Sequence, residues 1–140
     1  MAVGNVPNVN VYVRFCETDA GGHVSNVSYF IYLEEARSKF FQAVGFTGKE
    51  KRGNIDFIVA STSCDFLVQA YAGQTLAIAT KVERIGTKSF KLAHEITDNE
   101  TGNRIASGRA TIVCFDYQKQ QTEKVPPVLR EILEDFLVKA

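Results

Sequence analysis

The chain has 140 residues, enough for one domain with a real core, and 45% of them are hydrophobic, as in an ordinary soluble globular protein. Sixteen acidic residues balance sixteen basic ones without a basic block, so nucleic-acid binding has no support, and no apolar run is long enough to span a bilayer. Three cysteines, Cys16, Cys64 and Cys114, are widely spaced and odd in number, which fits reduced thiols in a cytoplasmic protein rather than disulfides or a metal site.

The first residues lack the basic and continuous apolar regions of a signal peptide. Residues 9–16, VNVYVRFC, alternate and contain four β-formers, which predicts a strand. Asp19 then falls at or just past a strand end. Gly21-Gly22, His23 and the polar pair Ser25-Asn26 follow. The glycines let the backbone turn tightly and come close to a ligand. Ser25 and Asn26 are both good N-caps, and the pattern predicts a helix over 27–44 that stops at Gly45. Its apolar positions, among them Phe30, Leu33, Phe40 and Phe41, are widened by Tyr29, Ile31 and Tyr32, so the helix is expected to be largely enclosed. Carboxylate, glycine turn and helix start come in that order. The order sets an acid beside the positive end of a long helix, whose first N–H groups have no partner within it. Such a place can polarise a carbonyl.

Residues 46–55 read as an exposed loop. Strands are then predicted over 56–71, 74–85, 88–97 and 103–117, joined by short turns as an antiparallel meander. Phe90, Leu92, His94 and Ile96 share one face, as do Ile105, Val113 and Phe115. Pro126-Pro127 opens a C-terminal amphipathic helix that carries Leu129, Ile132 and Leu133. The chain thus reads as one α+β domain over residues 1–140. A five-stranded antiparallel sheet wraps a long central helix, with a second helix at the C-terminus. A single helix layer leaves sheet edges uncovered, so at least a two-fold dimer is expected.

Val13-Arg14-Phe15, Glu17-Thr18-Asp19-Ala20-Gly21-Gly22-His23-Val24 and the aromatic helix through Tyr32-Leu33-Glu34-Glu35-Ala36-Arg37 resemble the hotdog-fold acyl-CoA thioesterases. The 4-hydroxybenzoyl-CoA thioesterase and YbgC-like branch is the nearest. Asp65-Phe66-Leu67, Gly73 and Arg84-Ile85-Gly86-Thr87-Lys88-Ser89 fit the same family's later strands. The resemblance implies a hotdog dimer, in some cases paired again into a tetramer, with the active site at the subunit junction. It implies hydrolysis of an acyl-CoA to free acid and CoA with no cofactor. In it, Asp19 attacks the thioester carbon or activates water, and a backbone N–H near Asn26 polarises the carbonyl. YbgC-like proteins commonly have a histidine where this chain has Asn26, and often an apolar residue where it has His23.

His23 can orient substrate or hydrogen-bond Asp19; a turn histidine is the plain alternative, as a turn aspartate is for Asp19. Gly22 is a candidate for binding substrate, and Tyr29 for lining the acyl pocket, although the helix aromatics are chiefly core. Lys88 and Ser89, in the turn after Gly86, are candidates for the CoA phosphates, and a plain hairpin turn explains them equally well. Glu34 and Glu35 are carboxylates that could compete with Asp19, although a solvated face explains them. Arg37 is expected to make a structural bond to the sheet rather than an interface ion pair, His94 to lie in the core or at an interface, and Cys16 to be a small buried hydrophobe. Ligand spacings for zinc are absent. The alternatives to a thioesterase are a hotdog enoyl-CoA hydratase or dehydratase using Asp19 and His23, and a non-catalytic acyl-CoA or acyl-carrier binding module.

Overall fold

A computed structural model describes residues 8–46 and 55–138; most of the loop expected at 46–55 lies outside them. The elements are β1 (Val9–Tyr12), a 3-10 turn (Phe15–Glu17), α1 (Asn26–Ala43), β2 (Asp56–Phe66), β3 (Thr75–Ile85), β4 (Ser89–Asp98), β5 (Arg104–Asp116), β6 (Gln121–Thr122) and α2 (Pro127–Glu134). All strands join one antiparallel sheet in the order β1-β3-β4-β5-β2, and the two-residue β6 pairs with β5. The sheet curls around α1.

Three expectations are corrected. The first strand ends at Tyr12, because Glu17 and Thr18 fold back on Arg14 and Phe15 in the 3-10 turn. That turn leaves Cys16 exposed, not buried. The meander covers β3, β4 and β5 only; β2 pairs with β5 at the opposite edge. The reason is that β2 stops at Phe66, where Leu67 and Val68 both donate to the carbonyl of Ile105. The connection to β3 is then too long for a tight hairpin, and it crosses to the other side of the sheet. On β5 the face towards the helix is Ala106, Gly108, Ala110, Ile112 and Cys114, whereas Val113 and Phe115 lie on the other face. Small residues are needed there because α1 lies directly on the strand. A Cβ built on Gly108 would come within 2.6 Å of Leu33 Cδ1.

Two apolar clusters fill the space between helix and sheet. One, around Val11, Tyr32, Leu33, Leu76 and Ile96, lies under the first half of α1. The other, around Phe40, Phe90, Leu92 and Ile112, lies under its second half, where Leu129 and Leu133 of α2 join it. The chain after α2 bonds Val82 from both sides, through Phe136 and Val138, and so covers the edge of β3 beyond β1. Gly45, at φ 85°, ends α1 as expected: its N–H bonds Gln42, and Phe46 bonds back to Phe41. The helix is less enclosed than its composition suggested. Val27, Phe30 and Ile31 are 69%, 37% and 54% exposed, on the side that faces away from the sheet. No helix among the described residues is long and apolar enough to cross a membrane.

Candidate active site

The loop between the 3-10 turn and α1 is held by its own backbone. The N–H of Asp19 donates to the carbonyl of His23 at 2.9 Å, and Gly22 donates to the carbonyl of Asp19 at 3.0 Å. Gly22 sits at φ 84°, a left-handed conformation that glycine adopts without strain. The carboxylate of Asp19 accepts from the N–H of Gly21 at 2.9 Å on Oδ1 and lies 3.2 Å from His23 Nδ1 on Oδ2. Its side chain stays 42% exposed. The Asp19–His23 contact that the sequence suggested is therefore present.

Ser25 is the N-cap of α1 and Asn26 its first residue. The Ser25 hydroxyl and carbonyl take up the N–H of Ser28, and the same carbonyl accepts from Tyr29. The N–H groups of Asn26 and Val27 have no partner among the described residues. Asp19, His23, Asn26 and Tyr29 line one cavity of about 330 Å³, with Phe66, Leu67, Val68 and Gln69 forming its other wall. The rings of Tyr29 and Phe66 meet across it at 5.1 Å. An acid, Asn26 with its unpaired amide at the helix start, and an apolar wall thus line the same cavity, with Val27 next to it in the chain. A carbonyl oxygen can be held by the amides while the acid or a water reaches its carbon.

Several candidates lie elsewhere. Gly22 shapes the loop but is not among the residues that line the cavity. Lys88 and Ser89 sit at the far end of β3, about 30 Å along the strand from the loop at an extended rise of about 3.3 Å per residue. There Lys88 Nζ reaches Thr122 Oγ1 at 3.5 Å. Glu35 pairs with Lys39 at 2.7 Å, and Glu34 lines cavities further along α1, so neither shares the cavity with Asp19. His94 is in the core as expected, with Nδ1 2.9 Å from Thr80 Oγ1. Burial pushes the thiols of Cys64 and Cys114 up to about 11, so both are protonated at neutral pH. No cluster of three or more His, Cys, Asp or Glu among the described residues could hold a metal.

Sequence reasoning missed two features. The wall from Phe66 to Gln69 was hidden because residues 56–71 read as one unbroken strand. The other is a clamp on the 3-10 turn. The carbonyl of Glu17 accepts from Ser25 N–H and Ser28 Oγ, and its carboxylate accepts from Arg14 N–H at 2.9 Å and from the Tyr32 hydroxyl at 3.0 Å. Burial opposes the charge on Glu17, but the bonds from Arg14 and Tyr32 outweigh it and hold its pKa below the usual carboxylate range. The recurrence of Tyr32 fifteen residues after Glu17 carries no sequence signal.

With the fold and cavity in place, comparison with known proteins is decisive for the class. The family model described as the thioesterase-like superfamily matches residues 13–133. YsmA of Bacillus subtilis (strain 168) is 36% identical over 103 residues, covering 74% of this chain and 68% of YsmA. The long-chain acyl-CoA thioesterase FadM of Escherichia coli (strain K12) is 28% identical over 127 residues, covering 91% of this chain and 96% of FadM. Among solved structures, the gentisyl-coenzyme A thioesterase BH1999 superposes with a TM-score of 0.78 at 26% identity, over 90% of this chain and 98% of that one. The chain belongs to the thioesterase-like superfamily of hotdog-fold proteins and is a thioester hydrolase.

Proposed function

We propose that the protein hydrolyses an acyl-CoA at the Asp19 cavity, giving a free carboxylic acid and CoA. The thioester oxygen accepts from the unpaired N–H groups of Asn26 and Val27, where the positive end of α1 stabilises the charge that develops. Asp19 either adds to the carbonyl carbon, giving a mixed anhydride that water afterwards hydrolyses to the free acid and the Asp19 carboxylate, or takes a proton from a water that attacks that carbon. In either case the C–S bond breaks after the addition, and the sulfur leaves as a thiolate that is protonated from solvent. His23, at Asp19 Oδ2, keeps that carboxylate turned into the cavity. Gly22 leaves the approach to it open. Tyr29 and the Phe66–Val68 wall receive the start of the acyl group.

The reaction needs no metal or redox group, because the helix start supplies the electrophilic contact and the acid the rest. The observation that carries this reading is the cavity that Asp19 shares with Asn26, whose first-turn amide is free. Two copies are proposed to pair through β2 and the exposed apolar side of α1, and such dimers could pair again. Lys88 and Ser89 can meet a bound CoA only from the second copy. A cytoplasmic, reducing location suits the exposed thiol of Cys16.

Free-thiol release across short, long and aromatic acyl-CoAs tests the activity. Asp19→Asn and Asp19→Ala are expected to keep the circular dichroism spectrum and the assembly while losing about a hundredfold or more in kcat. Full activity in either variant would falsify the role of Asp19.

A further inference from the structure

Two polar groups inside the helix–sheet layer take no part in the chemistry at Asp19. His94 on β4 is 2% exposed, and its Nε2 has no partner among the described residues. Arg37 on α1 is 8% exposed; its carboxylate neighbour, Glu34, is 4.0 Å away with a side chain that is 76% exposed. Both residues line a cavity of about 230 Å³ walled by Phe30, Leu33, Val59 and Thr62, with Glu34 also in its lining. Arg109 also borders it, but its Nε bonds Glu83 at 2.7 Å. Burial first, and the Arg37 charge second, pull the pKa of His94 down to about 4, so the ring is neutral at pH 7. Apolar walls with a few converging polar groups are what a small-molecule pocket offers.

This cavity and the Asp19 cavity are separate but both draw lining from α1 and β2, through Phe30, Leu33, Val59 and Thr62 here and Asn26, Tyr29 and Phe66 in the other. At about 1.5 Å rise per residue, its lining on α1 is centred about 10 Å beyond Asn26. An extended chain gains about 1.2 Å per bond, so about eight bonds span that distance. Given the thioesterase reading above, we infer that the far end of the acyl group lies between Arg37 and His94 and carries an oxygen, as a hydroxyl or a carboxylate. A hydroxyl accepts from the guanidinium and donates to, or accepts from, Nε2. A carboxylate accepts from both when the imidazole carries its proton on Nε2. A plain hydrocarbon end leaves His94 Nε2 buried and unpaired and Arg37 with only the exposed Glu34 carboxylate at 4.0 Å, which is the stronger kind of discrimination.

The test compares decanoyl-CoA, 10-hydroxydecanoyl-CoA and decanedioyl-CoA by thiol release. At least one oxygenated ester is expected to exceed decanoyl-CoA by about tenfold in kcat/KM, and the better one identifies hydroxyl or carboxylate. Arg37→Met and His94→Phe are each expected to bring that ratio to about one. Equal kcat/KM for all three esters, or a ratio untouched by both substitutions, overturns the subsite. A second readout is independent of turnover and of variant folding. S-alkyl-CoA thioethers with a terminal oxygen should shift the ring protons of His94, one of only two histidines, more than the plain S-decyl thioether does. Identical shifts overturn the subsite even if no ester is hydrolysed, whereas absence of hydrolysis with an oxygen-dependent shift overturns only the thioesterase reading.

Discussion

Glu17 ties the acid-bearing loop to the helix that supplies the amides, through Ser28 and Tyr32. Burial and the Glu17 contact both raise the pKa of the Tyr32 hydroxyl, so it stays a donor throughout the working range. Removing that donor frees the turn without touching the cavity lining. Tyr32→Phe is therefore expected to lower kcat roughly tenfold with little change in KM, because a small misplacement of the acid is costly. Thiol-release kinetics measure both constants, and an unchanged kcat would show that the clamp is purely structural. His94 sets a different dependence. Its folded pKa, about 4, lies below the unfolded reference of about 6.5. The unfolded chain therefore binds the proton first as pH falls. Stability is constant above about 6.5, declines down to about 4, and the total loss from this residue is about 3 kcal/mol. Denaturant midpoints from pH 7 to 4 should fall more steeply in the wild type than in His94→Gln. Equal slopes would mean that His94 is as solvated as in the unfolded chain.

The central helix and the strand beneath it are matched in size. Gly108 lets β5 approach Leu33, which is 3% exposed and lies in the path of any Cβ added at that position. Gly108→Ala is expected to cost about 1–3 kcal/mol by overpacking, seen as a thermal midpoint lower by several degrees. Shortening Leu33 to Val in the same chain should recover part of the loss, since residues in contact couple. A midpoint unaffected by Gly108→Ala would mean that the layers are looser than described. At the N-terminal end of the same helix, the sequence left Ser25 and Asn26 as rival caps. The structure gives the cap to Ser25, which leaves the amide of Asn26 free for a ligand.

At the scale of the molecule, β2 is an eleven-residue edge strand, and over 57–66 its outer side faces no other strand among the described residues. Long uncovered edges invite pairing, and here Ile31, Phe30 and Val27 of α1 add an exposed apolar side next to it. Sedimentation is expected to give twice the chain mass, or a multiple of it. Ile31→Glu should reduce it to a single chain with native circular dichroism, since that position is already 54% exposed in one protomer. A wild-type monomer would refute the paired assembly. Local spacing in the sequence determined the helix with its glycine stop, the β4 face bearing His94, and the Asp19–glycine–His23 order, because each depends on neighbours within a few residues. Tertiary structure alone decided that β2 lies beside β5, that the small face of β5 meets the helix, and that Lys88 stands far from Asp19. Those outcomes depend on which strand a chain returns to and how closely two layers approach, and alternation of residue types carries neither quantity.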